Sequence, residues 1–207
     1  MPLENRVTPF GELIAEPSRG GFFGNRGGRF HGDDRRLGGA RRHYVSKAWI
    51  CCLLAFKGRQ RDVWGQSYTE LFFLDEPTAL ASGHRPCFEC RRAAAVTFAE
   101  KFSGAARRAT AAEMDLVLHR ERLAEDRRTK RIHPVSLGDL PDGVFVTLSG
   151  EDAFAVNGKR LLRWSPRGYA EAIVRPSGRA MMLTPPAIRD VLARGYAPHW
   201  HPSAASL

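Results

Sequence analysis

The chain has 207 residues, 43% of them hydrophobic, which is enough to build a folded core and excludes a disordered chain. It carries 32 Lys and Arg against 22 Asp and Glu, a formal net charge of +10 that attracts polyanions. No apolar run approaches the roughly 20 residues of a membrane-spanning helix, and the N-terminus lacks a charged leader followed by an apolar stretch. We therefore expect a cytoplasmic protein whose first candidate partner is nucleic acid and not a membrane.

A stretch dense in Gly and Arg occupies residues 18–43, with the sequence SRGGFFGNRGGRFHGDDRRLGGARRH. It has too few apolar residues to bury a core of its own, which predicts a loop or a flexible arm. Arginines interleaved with aromatic rings can follow phosphates and stack on bases, although a solvated surface loop would have the same composition. The arginines of this arm that we predict to contact nucleic acid are Arg26, Arg29, Arg35 and Arg36.

Two apolar runs, residues 47–58 and 67–76, are rich in aromatic and β-favouring residues and predict two strands that pair with each other. Two acidic residues followed by Pro77 predict the start of a short helix, which Gly83 closes. Pro86 opens a second predicted helix with a Cys-x-x-Cys sequence in its first turn. The positive end of the helix dipole would there lower the pKa of the two thiols and favour the form that binds metal.

The second half of the chain alternates helical and strand signals. Residues 110–131 have an apolar stripe opposite charges at i,i+4 spacing, which predicts an amphipathic helix with a self-paired, exposed charged face. Three apolar runs predict strands, the second of them a hairpin around an Asn-Gly turn: residues 143–150, 152–164 and 178–184. A last helix is predicted at 184–195 with Thr184 as N-cap, and the tail after it is expected to be coil.

The chain has four cysteines, Cys51, Cys52, Cys87 and Cys90. In a reducing compartment, metal binding or buried thiols are more plausible uses for them than disulfides. The Cys-x-x-Cys pair supplies half of a tetrahedral zinc site, because its two-residue spacer lets both sulfurs point to one centre. Adjacent residues of a strand face opposite ways, so only one of the first two cysteines can reach the same ion. We choose Cys52 as the third ligand.

The fourth ligand is open among three histidines. His31 lies in the Gly/Arg-rich stretch that metal binding would order, and we predict it as the ligand. His84, three residues before Cys87, and His43 are the alternatives. A cluster of buried thiols without any metal is the alternative to the whole site, since a free Cys is commonly a buried hydrophobic residue.

The segment from Glu70 to Arg92, ELFFLDEPTALASGHRPCFECRR, resembles part of the Ada-type metal-binding domain, the zinc module of DNA methylphosphotriester repair proteins. Both have a strand ending in two aromatic residues, a short Ala-rich helix, and then Gly, an aromatic-type residue and Arg-Pro-Cys-x-x-Cys. The matching residues are Phe72, Phe73, Ala79, Ala81, Gly83, Arg85, Pro86, Cys87, Cys90 and Arg91, with His84 in the aromatic-type position. The resemblance covers little more than a tenth of the chain.

The resemblance implies a zinc ion held by Cys87 and Cys90 and a DNA-facing basic surface near Arg85, Arg91 and Arg92. One feature of the family is missing: its Cys-x-x-x-Cys before the aromatic strand, which includes the methyl-accepting cysteine, has no counterpart in this sequence. Replacement of the missing ligands by Cys52 and His31 is an inference from ligand chemistry and is not part of the resemblance.

Together these patterns predict an α+β protein with an Ada-like zinc-binding lobe followed by a small mixed α+β lobe. The boundaries are 1–103 for the zinc lobe with its Gly/Arg-rich arm, 104–135 for a linker and amphipathic helix, and 136–207 for the C-terminal lobe. Zinc is expected to be structural and to stabilise a lobe with little core.

We predict a zinc-containing protein that binds nucleic acid, DNA in preference to RNA, and acts in DNA repair or processing. The first alternative is a metal-dependent nuclease built from Asp33, Asp34 and His31 with Glu70 or Asp75. The second alternative is a repair protein that accepts a methyl group on Cys51 or Cys52.

Overall fold

Two β-sheets, one from each half of the chain, and four α-helices make up the computed structural model, which describes residues 1–37, 43–60, 62–104 and 107–207. The fold is α+β, as the sequence predicts. All strands of the first sheet lie between residues 4 and 86, and all strands of the second lie between residues 133 and 182. Two of the four helices occupy the chain between them.

The first sheet has the strand order β2-β1-β5-β3-β4-β6. Its strands are β1 (Glu4–Val7), β2 (Leu13–Ala15), β3 (Phe22–Asn25), β4 (Ile50–Leu53), β5 (Leu71–Phe73) and β6 (Arg85–Pro86). At one edge, β4 runs parallel to the two-residue strand β6, where Cys51 pairs with Pro86. This pairing brings the Cys-x-x-Cys sequence, which follows β6 directly, next to β4.

The predicted pairing of the two apolar runs is wrong, because β3 lies between β4 and β5 and is antiparallel to both. β3 belongs to the stretch of residues 18–43 that the sequence predicts to be a loop or an arm. It fits because Gly24 has no side chain: a Cβ there would lie 2.1 Å from the carbonyl oxygen of Ile50 and 2.9 Å from Cε2 of Phe73. Residues 38–42 of the predicted arm lie outside the described residues.

The second sheet has the strand order β11-β10-β9-β8-β12-β7, and all its pairings are antiparallel. Its strands are β7 (His133–Ser136), β8 (Phe145–Thr147), β9 (Phe154–Asn157), β10 (Arg160–Ser165), β11 (Gly168–Val174) and β12 (Arg179–Met182). The predicted Asn-Gly hairpin joins β9 to β10, with Asn157 paired to Arg160. β8 and β12 also lie in predicted strand runs, whereas β7 and β11 were not predicted.

The helices are α1 (Glu76–Ala81), α2 (Arg92–Ser103), α3 (Ala111–Arg122) and α4 (Pro186–Ala193). α1 begins after Asp75, whose carboxylate accepts a hydrogen bond from a backbone N–H of the first turn, and α3 begins with a capping box of Thr110 and Glu113. The N-cap of α4 is Pro185, one residue after the predicted Thr184.

In the described part of the chain, no helix is both long and apolar enough to cross a bilayer.

The Cys-x-x-Cys sequence lies before α2 and not in its first turn. α2 begins at Arg92, and its N-cap, Arg91, has the non-helical angles φ −126° and ψ 43°. A turn closed by the hydrogen bond from the backbone N–H of Arg91 to the carbonyl oxygen of Cys87 (3.1 Å) holds the two cysteines. The pairing of β6 with β4, and not the helix, therefore fixes the position of this turn.

α3 ends at Arg122, nine residues before the predicted end of the helix. A tight turn follows, in which Asp126 accepts hydrogen bonds from the backbone N–H groups of Arg128 (2.8 Å) and Thr129 (2.9 Å). The turn reverses the chain, so that Lys130 lies in a short antiparallel bridge beside the end of α3. The predicted exposed, self-paired face is corrected here, because Arg122 is fully buried.

One continuous hydrophobic core joins the helices to the second sheet. It contains residues of all four helices, among them Leu80, Phe98, Leu118 and Ile188, together with strand residues such as Val146.

The tail after α4 contains one short 3-10 helix, Pro202–Ala204, and is otherwise coil, as predicted. It is nevertheless held in place by hydrogen bonds to the start of α1.

Candidate metal centre

Three cysteine side chains meet at the edge of the first sheet. Cys52 comes from β4, Cys87 and Cys90 come from the turn before α2, and the three sulfur atoms lie within 4.8 Å of one another. The parallel pairing of β4 and β6 produces this meeting, since the backbone N–H of Cys87 donates to the carbonyl oxygen of Cys51 (2.9 Å). The structure thus brings three of the four predicted ligands together.

Cys51 faces away from this cluster, as the alternation of side chains along a strand requires. It lies in a separate core with Phe22, Leu71 and Phe73 and has no exposed surface. Burial raises the pKa of its thiol, because desolvation disfavours the thiolate. Cys51 is therefore a buried thiol and not a fourth member of the cluster.

The three sulfur atoms share their protons unequally. The pKa of Cys87 is lowered because its thiolate accepts hydrogen bonds from the thiols of Cys52 and Cys90, and the backbone N–H of Glu89 also donates to it (3.4 Å). The pKa of Cys52 is raised, first by its hydrogen bond to Cys87. The backbone N–H of Leu53 donates to the sulfur of Cys90 (3.4 Å). The pKa of Cys90 is also raised, so these hydrogen bonds favour one thiolate, that of Cys87, which is the form that binds metal.

The donor set and its spacing fit a zinc ion. Zinc with Zn–S bonds of about 2.3 Å separates its sulfur ligands by about 3.8 Å in a tetrahedral site. Three sulfurs already within 4.8 Å of one another reach that spacing through small side-chain rotations. Thiolate ligands also select zinc over magnesium or calcium, which prefer oxygen. The residues present are therefore suited to hold zinc.

Among the described residues, no fourth ligand atom from a His, Cys, Asp or Glu completes the group. Cys52 is 5% exposed and Cys87 is 7% exposed, whereas Cys90 is only partly buried, so solvent reaches the cluster at Cys90. Three protein ligands leave one position of a tetrahedral ion for water or a solute, which is typical of catalytic zinc sites and not of closed structural ones. The expectation of a closed structural site is therefore not met by the described ligands.

His31, the predicted fourth ligand, is not in the cluster. Its Nδ1 lies 2.7 Å from Oγ1 of Thr69, and its Nε2 lies 3.1 Å from the carbonyl oxygen of Gly65. Its ring also stacks on Trp64, with the ring centroids 5.0 Å apart. Both nitrogens are thus engaged in holding the loop to the chain around Thr69.

The two alternative histidines also lie outside the cluster. His84 is completely buried, with Nδ1 2.9 Å from Oγ of Ser82 and Nε2 3.4 Å from Nε of Arg26. Burial lowers the pKa of His84 well below its ordinary value, so the imidazole is neutral. His43 is exposed and stacks on Phe30.

The basic surface that the resemblance implies is mostly inside the protein. Nε and NH2 of Arg85 each donate to a carboxylate oxygen of Asp115 at 2.8 Å, and Arg85 is 5% exposed. NH2 of Arg91 lies 2.6 Å from Oε2 of the buried Glu76. Only Arg92 of the three is exposed. Ion pairing with interior acids removes the other two from any DNA-facing surface.

The four predicted arginines of the Gly/Arg-rich stretch are divided between the surface and the interior. Arg29 and Arg35 form ion pairs with nearby aspartates at the surface, and Arg36 is exposed. Such exposed pairs are weak and exchange readily with other anions. Arg26 is 3% exposed and belongs to a buried group of cations.

The carboxylates of the predicted hydrolytic site do not converge. Asp33 pairs with Arg29, and Asp34 accepts a hydrogen bond from the backbone of its own loop. Glu70 accepts a hydrogen bond from the backbone N–H of Trp64 (2.8 Å), while Asp75 caps α1. Within the described residues, the cysteines form the only group of three or more His, Cys, Asp or Glu ligand atoms that meets.

Sequence reasoning missed a second cluster, made of Arg26, Trp49, Arg122 and Lys130, which lines a cavity of about 960 Å³. The arginine and lysine positions near residue 130 were predicted to belong to a solvated helix face. The only sequence feature related to the burial of Arg122 is Gly83. A Cβ at that position would lie 2.6 Å from Cδ of Arg122. That contact joins distant parts of the chain and cannot be identified from local spacing.

Comparison of the chain with models of protein families, with curated proteins and with solved structures finds no match to any of them.

Proposed function

We propose that the protein is a zinc protein that binds nucleic acid, DNA in preference to RNA, and that it acts in the repair or processing of DNA. The observation that carries this proposal is the meeting of the sulfurs of Cys52, Cys87 and Cys90 within 4.8 Å. The net charge of +10 supports a polyanionic partner, and the likeness of residues 70–92 to the Ada-type domain supports DNA as that partner.

Cys52, Cys87 and Cys90 would hold the metal as thiolates. Zinc held there would act as a Lewis acid and would lower the pKa of a bound water or thiol. The three cysteines join β4 to the turn before α2, so metal binding also stabilises the edge of the first sheet. Exposed cations, among them Arg36 and Arg92, lie on the surface of the same part of the chain.

The two alternative functions have weaker support. The nuclease alternative needs Asp33, Asp34 and His31 in one site, and these side chains have separate partners. The methyl-acceptor alternative needs a nucleophilic sulfur that a DNA backbone can approach, and Cys51 and Cys52 are 0% and 5% exposed. The positions of these side chains therefore support neither phosphodiester cleavage nor methyl transfer to cysteine over nucleic-acid binding.

Metal analysis of the purified protein tests the zinc site. We expect one equivalent of zinc per chain, and its loss in Cys52→Ser and Cys87→Ser, because each removes one of three thiolates. Cys51→Ser is the matched control, since its side chain lies on the opposite face of β4, and it should keep the zinc. Zinc retained by Cys52→Ser, or lost from Cys51→Ser, would contradict the assignment.

Fluorescence anisotropy with labelled DNA and RNA of one sequence tests the nucleic-acid partner. We expect tighter binding to DNA, with an affinity that falls at least about tenfold between about 50 and 200 mM salt as about two phosphate counterions are released. An uncharged polysaccharide of similar length serves as the control polymer. Failure to bind DNA at the lower salt concentration would exclude this function while leaving the zinc site intact.

A further inference from the structure

A cavity of about 960 Å³ opens where the turn between β1 and β2 faces the end of α3 and the chain that follows it. Five Arg and Lys side chains line it together with Trp49: Arg26, Arg122 and Lys130, and at the exposed rim Arg127 and Arg128. Glu12, exposed at the rim, is the one acid among the described lining residues. Cavities of about 300 to 1,000 Å³ are typical of small-molecule sites. The cavity is therefore large enough for an organic ligand, and its charge is strongly positive.

Arg26 has only uncharged hydrogen-bond partners. Its NH2 donates to the carbonyl oxygen of Gly11 (2.9 Å), its NH1 donates to that of His43 (3.4 Å), and its Nε lies 3.4 Å from the neutral ring of His84. Burial lowers the pKa of Arg26 to about 9, so the guanidinium still carries its charge at neutral pH. A buried positive charge is thus held without a negative partner.

Arg122 repeats this arrangement. It is completely buried, and it donates through NH1 to the carbonyl oxygen of Gly83 (2.9 Å) and through NH2 to that of Lys47 (2.8 Å). Its Nε has no hydrogen-bond partner among the residues that the structure describes. The pKa of Arg122 is lowered to about 9, first by burial and next by the charge of Arg26. A buried guanidinium with an unused donor is costly unless a ligand compensates it.

Trp49 holds the two guanidinium groups in fixed positions. The Cζ atoms of Arg26 and Arg122 lie over the indole ring, at 4.1 Å and 3.9 Å from a ring centroid. The indole N–H donates to the carbonyl oxygen of Ser46 (3.1 Å), which fixes the ring itself. Cation–π contacts of this kind orient the arginines but add no negative charge.

Lys130 adds a third cation to the same group. Its ammonium donates to the carbonyl oxygen of Ala81, which uses one of three N–H donors. Desolvation lowers the pKa of Lys130 well below its ordinary value, and so do the charges of Arg26 and Arg122. Lys130 therefore shares the cavity lining with two other cations, both of which lie over the indole ring of Trp49.

Neighbouring negative charge is insufficient to neutralise this group. Asp115 is the carboxylate whose charge acts on Arg122, but both its oxygens accept hydrogen bonds from Arg85. The carbonyl groups at the C-terminal end of α1, which accept from Arg122 and Lys130, amount to about half a negative charge at most. Capping of α1 therefore explains where the cations point but leaves most of their charge uncompensated.

Part of the remaining cavity wall is apolar. It is formed by side chains from the β1–β2 hairpin and from both sides of the turn after α3, namely Phe10, Leu13, Ile14, Leu123 and Ile132. Thr129 and Ser82 provide hydroxyl groups between the two walls. A ligand that fills this space needs an anionic group at one end and a flat or apolar group at the other.

We propose that this cavity binds a phosphate-bearing ligand of nucleotide size, with its phosphate beside Arg122 and Lys130 and its ring against the apolar wall. The phosphate supplies the missing negative charge near Arg122 and accepts hydrogen bonds from the remaining donors of the Lys130 ammonium. The ligand is either a free nucleotide or the terminal nucleotide of a strand, which share this chemistry. The proposal depends neither on the metal centre nor on nucleic-acid binding elsewhere on the protein.

Isothermal titration calorimetry of the full chain tests the proposal with defined probes: a nucleoside 5′-monophosphate, the matching nucleoside, inorganic pyrophosphate, and an oligonucleotide with and without a 5′-phosphate. We expect the monophosphate to bind at least about tenfold more tightly than the nucleoside, since one charge-assisted contact has about that effect. Tighter binding of the 5′-phosphorylated strand than of the free monophosphate identifies a strand end as the source. The reverse order identifies a free nucleotide. Equal affinity for nucleoside and monophosphate overturns the proposal, whatever the affinity for long DNA.

Variants locate the binding event. Lys130→Met keeps the aliphatic stem and removes the ammonium, so affinity for the monophosphate should fall at least about tenfold. Lys159→Met makes the same change in net charge at an exposed hairpin position and should leave that affinity within about twofold, as expected of a remote surface charge. Arg127→Gln, at the exposed rim of the cavity, is a second variant if Lys130→Met does not fold, and it should also weaken binding. Equal affinities in the folded cavity variant and the Lys159 control would overturn the assignment.

Discussion

The short helix α1 has a buried group of charges at each end, and the two groups differ in how completely their charges are partnered. At the start of α1, Asp75 and Glu76 are each 1% exposed. At its end, the carbonyl oxygens of Ala81 and Gly83 accept hydrogen bonds from Lys130 and Arg122. Both groups have the sign that the helix dipole favours, negative at the N-terminus and positive at the C-terminus.

The acidic group has a partner for every carboxylate oxygen. Oδ1 of Asp75 accepts from the first turn of α1, and its Oδ2 accepts from the hydroxyl of Tyr169 (2.8 Å). Oε1 of Glu76 accepts from the hydroxyl of Tyr196 (2.6 Å), and its Oε2 lies 2.6 Å from NH2 of Arg91. This end is a completed structural junction between α1, the second sheet and the C-terminal tail.

The cationic group lacks such a counter-charge. Its three cations donate mainly to neutral carbonyl groups, Arg26 and Arg122 stack on one indole ring, and Nε of Arg122 has no partner in the described part of the chain. Stability alone would favour replacing such a charge by an apolar side chain. The ligand that we propose for the cavity would supply the counter-charge that this end of α1 lacks.

The largest effect that we expect is at the acidic end. Glu76→Gln leaves Arg91 with an uncharged partner in the interior, and breaking a buried pair in this way costs about 3 to 5 kcal/mol of unfolding free energy. Chemical denaturation followed by circular dichroism measures it. Glu89→Gln is the control, because Glu89 pairs with Arg59 at the surface, and it should leave stability unchanged. Similar losses of unfolding free energy in both variants would show that the Glu76 pair stabilises the protein no more than an exposed ion pair does.

A smaller effect is expected where the C-terminal tail meets the same carboxylate. Tyr196→Phe removes the hydroxyl that donates to Glu76, and a hydrogen bond to a charged group contributes about 1.5 to 3 kcal/mol. Burial raises the pKa of Tyr196, so the phenol remains a donor across the range in which the protein is handled. Tyr68→Phe, at a half-exposed position, is the control for loss of a phenolic hydroxyl. An unchanged stability of Tyr196→Phe would mean that the tail does not support α1.

Sequence patterns correctly predicted the elements that are determined by short-range interactions. α1, with its acidic start and Gly83, and the hairpin at Asn157 follow from residues adjacent in sequence. Strand alternation predicts that only one of Cys51 and Cys52 reaches the metal, and the Cys-x-x-Cys spacing predicts that Cys87 and Cys90 act together. These parts of the metal centre could be predicted because each depends on one strand or one turn, whereas alternation alone does not choose Cys52 over Cys51.

Features that depend on distant contacts could not be predicted in the same way. β3 lies inside the first sheet because Gly24 fits between β4 and β5, which no composition of residues 18–43 reveals. His31 has ligand chemistry, but Thr69 and Gly65 occupy its nitrogens. The charged pattern near α3 is typical of an exposed helix face. In the structure the helix ends at Arg122, and contact with Gly83 buries the guanidinium of this residue. A sequence pattern records residue types, whereas these outcomes depend on which distant backbone lies beside them.

The smallest effect, and the one that separates the two ends of α1 most clearly, is expected for Lys130→Met. Without ligand, this variant loses one hydrogen bond to Ala81 but also removes a desolvated charge that Arg26 and Arg122 repel, so we expect a gain of about 1 kcal/mol in unfolding free energy. Denaturant unfolding without phosphate measures this gain, with Lys159→Met as the control of equal charge. A gain in stability together with a loss of monophosphate affinity is the trade-off expected of a ligand site. A loss as large as that of Glu76→Gln would instead make the cationic end a structural junction like the acidic one.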